Sequence, residues 1–212
     1  EFRRVLFRSA GSHAVGPWTV SWDDKGVRVT DGVATSFEQK NTSEEQSQES
    51  WRVIGVVGPW VTVESTWYAE GGAHPSYGTN WETHDITRGG RPVALTDLWK
   101  EDVILAALRS DKVIADHLPK GAKARTAAEL LEQLDGGCEM RLSPRLLTAW
   151  AIHSVDGDRV AVRIGVTHGC EVMRGNFAQL GLWLPLPKGM AAVVKQADQQ
   201  GTLHEDLGKK AK

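Results

Sequence analysis

From residue 17 to residue 85 apolar and polar positions alternate with a period of two, the pattern of half-buried strands. Trp18, Val20 and Trp22 alternate with polar residues, Asp23-Asp24-Lys25-Gly26 supplies a turn, and Val27 to Val29 leads away from it. Residues 38–50 contain no apolar side chain and are expected as a solvated loop or hairpin tip. Residues 51–57 and 60–68, joined by Gly58-Pro59, predict a β-hairpin. Its second arm sets Trp60, Thr62, Glu64 and Thr66 on one side and Val61, Val63, Ser65 and Trp67 on the other. Residues 77–86 predict another strand, ended by the turn from Arg88 to Pro92.

The period then lengthens. Thr96 is the expected N-cap of a short turn through Trp99. Ile104, Ala107, Leu108, Ile114, Ala115 and Leu118 fall at helical spacing and predict a helix over 101–118, stopped by Pro119. Thr126 and Glu129 form a capping box opening a second helix that should end at Gly136-Gly137. Strands return after Pro144, with 147–155 and 159–166 flanking an Asp-Gly turn, then 180–186, and a short helix over 190–199. No internal repeat is visible. The order predicts an α+β fold, a mostly antiparallel sheet with two central helices packed on it. It would occupy residues 10–200 as one domain, followed by a flexible polar tail over 201–212.

The 212 residues are 41% hydrophobic and 25% charged, enough to bury a core without metal staples. A net charge of −2 gives no nucleic-acid footprint. Residues 1–9, EFRRVLFRS, look like the translation of a sequencing adapter and are expected to be non-native. The native start would then lie upstream, and with it any signal or membrane anchor. Without Glu1, Arg3, Arg4 and Arg8 the charge becomes −4, and without Lys209, Lys210 and Lys212 as well, −7. The most apolar stretch, 53–63, is interrupted by Gly58-Pro59 and falls short of the roughly 20 residues that span a bilayer.

Residues 68–99 carry a signature: Y-A-E-G-G-A-H-P-S-Y-G-T-N, then H-D-I, a glycine turn, and L-T-D-L-W. It resembles an extracytoplasmic family of unknown function found in the lysozyme-sensing anti-sigma-V factor and N-terminally in peptidoglycan deacetylases. Tyr68, Gly71, Gly72, Ala73, His74, Asp85, Leu95, Asp97 and Leu98 match its pattern, while Trp99 replaces a Phe and Arg88 to Arg91 replaces a Thr-Gly-Lys turn. The resemblance implies a periplasmic or extracellular, non-catalytic binding or sensor domain. Its partner would be peptidoglycan or a cationic muralytic enzyme such as lysozyme, which a mildly acidic body would help to attract. An accessory part of an envelope hydrolase or deacetylase, or a structural lipoprotein domain, are the rival readings. Gly71, Gly72, His74, Pro75, Tyr77 and Trp81 are the expected surface patch. Tyr68, Asp85, Leu95, Asp97, Leu98 and Trp99 read as architectural: Asp97 favours a helix N-terminus, and the apolar residues pin that turn to the sheet.

In an exported domain the even cysteine count is consistent with a Cys138–Cys170 disulfide closing about 32 residues. Two buried free thiols fit the sequence equally well. Cys170 two residues from His168 on a strand would share a face with it, but nothing else supports a nucleophile. His74, His84 and His168 lack ligand spacing, so neither metal nor cofactor is expected, and no catalytic residue is assigned. Glu64, Glu70, Glu82 and Asp85 cluster near the signature. They would serve glycan hydrolysis only if two faced each other about 5–10 Å apart across a cleft. Nine of the fifteen aromatics are Trp, and Trp60, Trp67 and Trp81 lie on strands where they either stack on sugars or fill the core.

Overall fold

The computed structural model describes residues 10–71 and 74–209, and the period-two segments in it form three antiparallel sheets. The first is a meander of β1 (Gly11–Val15), β2 (Trp18–Asp23), β3 (Gly26–Thr30) and β4 (Thr35–Lys40). The second runs in chain order through β5 (Thr42–Ser43), β6 (Ser47–Val57), β7 (Trp60–Ala69), β8 (Ser76–Asp85) and β9 (Arg91–Pro92). The third contains β10 (Trp150–Asp156), β11 (Arg159–Thr167) and β12 (Phe177–Pro185). Between the second and third sheets come α1 (Glu101–Ser110), α2 (Lys112–His117) and α3 (Ala127–Gln133), and after the third α4 (Ala191–Gln200) and α5 (His204–Lys209). The fold is therefore α+β and mostly antiparallel. The expected single sheet under two central helices gives way to three sheets, with helices both in mid-chain and at the C-terminal end.

The middle sheet is covered on both faces. Val61 and Val63 of β7 pack with Val20, Val27, Val29 and Phe37 of the first sheet. Trp60, pointing the other way, joins a larger core with Trp99, Leu108, Leu131, Trp150 and Leu182. A bulge at Ile54 in β6 turns that side chain toward Trp81 and Ala151. The polar groups caught between these layers are paired. Thr62 and Thr83 hydroxyls meet at 3.0 Å, and both donate to the Trp150 carbonyl. Glu64, 7% exposed, accepts from Arg52 Nε at 2.6 Å and from Trp81 Nε1 at 3.0 Å.

Several local elements depart from the sequence reading, each because a side chain competes with the regular ladder. The helix over 101–118 breaks at Asp111, whose extended backbone lets its carboxylate accept from Ile114 N at 3.1 Å. The turn before α1 is capped not by Thr96 but by Asp97, whose carboxylate accepts from Ala94 N at 2.8 Å. Thr126 does cap α3, accepting from Glu129 N, while Glu129 reaches back to Arg125 N; the helix ends at Gln133, short of the glycines. The polar stretch 38–50 is largely strand, because β5 is an edge with little to bury. The stretch from 201 is no loose tail as far as Lys209: Thr202 and Leu203 are buried, and the Thr202 hydroxyl donates to Val56 O at 2.8 Å. Residues 1–9 and 210–212 lie outside the described residues. No helix among those described is long and apolar enough to cross a membrane.

Replacing Glu64 by Ala should cost about 2–3 kcal/mol, since it strands the Arg52 guanidinium and the Trp81 N–H together. Glu64→Gln, which still accepts from the indole, should lose less. Urea unfolding of both variants tests this; equal losses would mean that the indole hydrogen bond is dispensable and that the Arg52 charge pairing carries the whole effect.

Candidate functional site

Register and alternation build one wall of a cleft from the middle sheet. Glu49 pairs with Trp67, Trp51 with Ser65, and Ser65 in turn with Asn80, so these side chains share a face, with Glu82 two residues further along β8. This is the face that Val61 and Val63 use against the first sheet; nearer the other end of the strands it carries polar and aromatic groups instead. Gly78 stands opposite Trp67, and a Cβ there would sit 3.0 Å from the indole, so the ring lies over a bare backbone.

The opposing wall comes from far along the chain. Arg141, Arg145, Thr167 and His168 complete a cavity of about 320 Å³ with the six sheet residues and Trp81. Arg141 N donates to Thr167 O at 2.8 Å, and Gly169 N to Cys138 O at 2.9 Å. Cys138 and Cys170 are disulfide-bonded, 4.6 Å apart at Cα, which fixes the Arg141 loop to the strand end bearing His168. Gly169 passes so close to the Gly137 carbonyl that no side chain fits there. Arg145 sits on a 3-10 turn, Pro144–Leu147, anchored by buried Leu146 and Leu147.

The charges in the cleft are unevenly matched. His84 is buried, with Nδ1 2.9 Å from Gly90 O and Nε2 3.2 Å from Glu82 Oε2. Both ring nitrogens thus lie beside acceptor oxygens. The His84 ring beside it holds the Glu82 carboxyl below the ordinary range against the opposing effect of burial, and the Arg145 charge adds a smaller push the same way. Arg141 and Arg145 are exposed, and neither forms an ion pair among the described residues.

The patch expected between Gly71 and Trp81 does not hold together as a surface. Trp81 is 4% exposed, bonded to Glu64 and packed against Phe177, at 5.3 Å between ring centroids, and His204, at 4.8 Å. It borders the cleft from within the core. Gly71 and His74 are exposed and Pro75 is half-buried at a corner that is not part of the cleft lining; Gly72 and Ala73 lie outside the described residues. That corner is braced on the turn Glu171–Met173: the Ser76 hydroxyl donates to Glu171 at 2.7 Å, and His74 Nδ1 lies 3.9 Å from the same carboxylate. Tyr77, 41% exposed, packs its ring against Gly175.

Leu95 and Trp99 are buried, with Trp99 Nε1 donating to Pro185 O at 2.7 Å, and Leu98 is packed alongside. Asp85 caps Thr87 through its amide at 2.9 Å and its hydroxyl at 2.6 Å, and the Tyr68 hydroxyl donates to Glu70. Of the four carboxylates near the signature only Glu82 reaches the cleft, where it is joined by Glu49. The disulfide removes Cys170 as a nucleophile beside His168. His74, His84 and His168 stay apart, and no group of three His, Cys, Asp or Glu among the described residues is placed to hold a metal. The sequence reading missed Glu49, Trp51, Asn80, Arg141 and Arg145. The one visible signal was on β7, where valines on one face give way to Ser65 and Trp67.

Because folding lowers the Glu82 pKa, the pair's contribution is present in full above the unfolded-state value of about 4.3 and is lost as pH falls through the folded-state value. The urea midpoint should therefore drop between about pH 5 and 3, and less steeply in Glu82→Gln. Parallel pH profiles for the two proteins would refute the pairing.

No family model matches the chain, and no curated protein or solved structure matches it.

Proposed function

We propose that the protein is a non-catalytic binding domain of the bacterial cell envelope that recognises peptidoglycan through the cleft between β6–β8 and the Arg141–Arg145 segment. The observation that carries this reading is the meeting, in one cavity, of Trp51 and Trp67 with small polar groups and two arginines that form no ion pair among the described residues. Aromatic rings offer a flat apolar surface to sugar rings, while Ser65, Asn80 and Thr167 offer partners to their hydroxyls. The volume is near the lower end of the roughly 300–1,000 Å³ typical of small-ligand sites. That size favours a saccharide segment over the surface of a whole muralytic enzyme, and two exposed guanidiniums at the mouth disfavour a cationic protein there.

The disulfide is compatible with an oxidising, periplasmic or extracellular setting, as the resemblance of residues 68–99 also implies. A hydrolase reading is less well supported. Glu64 is committed to Arg52 and Trp81, and Glu82 lies against His84, which leaves Glu49 as the one uncommitted carboxylate among the described residues lining the cleft.

Co-sedimentation with insoluble peptidoglycan, alongside a turbidity assay with and without lysozyme, tests the reading. Binding should be saturable and fall about tenfold in Trp67→Ala, the loss of one stacking contact. Clearing of the suspension by the protein alone would replace this reading with a hydrolase. Protection from lysozyme without glycan binding would replace it with a sensor of the enzyme itself.

A further inference from the structure

We propose that the cleft is a subsite for an acidic sugar, its carboxylate held by Arg141 and Arg145 and the apolar face of its ring set against Trp67. This rests on the saccharide reading above and adds the charge and the contact groups of the ligand.

The case begins with the cations. Arg141 and Arg145 line the same cavity from a loop and an adjoining 3-10 turn, and no carboxylate of the protein among the described residues pairs with either. Their backbone is not free to drift. The Cys138–Cys170 bridge, the Arg141 N to Thr167 O bond and buried Leu146 and Leu147 hold the segment in place. Two guanidiniums carried beside a cavity on a held backbone are suited to a planar carboxylate, which each can engage through a fork of N–H donors.

The remaining charges sharpen the selection. Glu82, on which the Arg145 charge also acts, lies 3.2 Å from His84 and forms no ion pair with either arginine. Glu49 is left as a single acceptor on the opposite wall, suited to a sugar hydroxyl. A neutral sugar entering this space would desolvate the guanidiniums without offering a counter-charge. An acidic peptide would satisfy the arginines but leave the indole over Gly78 without the ring face it is placed to meet.

The test is isothermal titration of the whole chain with N-acetylmuramic acid and glucuronic acid, against N-acetylglucosamine, glucose and the dipeptide alanyl-glutamate. The acids should bind at least about tenfold more tightly than their neutral counterparts. That preference should weaken with added salt and disappear in Arg141→Gln and Arg145→Gln. Both variants should unfold at the wild-type urea midpoint, since their guanidiniums are exposed, so a lost preference would reflect the site and not the fold. Equal affinity for acids and neutral sugars would overturn the acidic-sugar inference and leave the saccharide reading intact. Binding of alanyl-glutamate as tight as that of the sugar acids would overturn the inference in favour of a peptide subsite. Failure of every sugar to bind, in a chain that also does not sediment with peptidoglycan, would overturn both.

Discussion

Trp150 stands where all the layers of the fold meet. Its carbonyl accepts the hydroxyls of Thr62 and Thr83, which fixes the start of β10 across the centre of the middle sheet. Its indole N–H donates to Val93 O at 2.8 Å, and its ring lies edge-on to Trp60 and to Trp99, at 6.2 and 6.0 Å. The carbonyl and the indole N–H of this 1%-exposed residue are thus both paired across elements distant in sequence. An unpaired group at such a depth would cost about 1–3 kcal/mol, so the arrangement selects one docking of the third sheet on the second. With that docking set, Thr148 O receives Thr83 N at 3.1 Å, and the segment bearing Arg145 is drawn alongside β8.

The cleft follows from where burial stops. β7 is covered on both faces over Trp60 to Val63, by the first sheet on one side and the large core on the other. Toward its C-terminal end the first-sheet face runs out of apolar partners, and Ser65 and Trp67 meet Glu49, Trp51 and Asn80. A strand buried on two faces at one end and half-open at the other supplies rigidity and access together. The disulfide then sets the far wall at a fixed distance from this rigid face, using a loop that regular structure does not otherwise hold.

The elements that depend on near neighbours were legible in the sequence. The hairpins around Gly58-Pro59 and Asp156-Gly157, the Thr126 cap and the division of β7 into two faces all rest on period and turn chemistry. The number of sheets was not legible, because period two does not say which face meets which partner. Trp60 and Trp81 became core while Trp67 became cleft, although all three sit on strands beside the same signature. Arg141 and Arg145 read as ordinary surface cations, since their meaning depends on a cystine and on a strand reached some sixty residues earlier in the chain.

Residues 68–99 illustrate the difference between groups that build a fold and groups that line a site. Leu95 and Trp99 are buried, Asp97 and Asp85 satisfy backbone amides, and Tyr68 bonds to Glu70. These are tasks of folding, and a chain could keep them while changing whatever it binds. The groups that could discriminate between ligands stand elsewhere, on alternate positions of β6 to β8 and on the disulfide-held loop. Cleft chemistry is therefore free to vary against a constant frame: exchanging Arg141, Arg145 or Asn80 touches no buried contact, whereas exchanging Trp99 or Asp85 disturbs the turns on which the sheet depends.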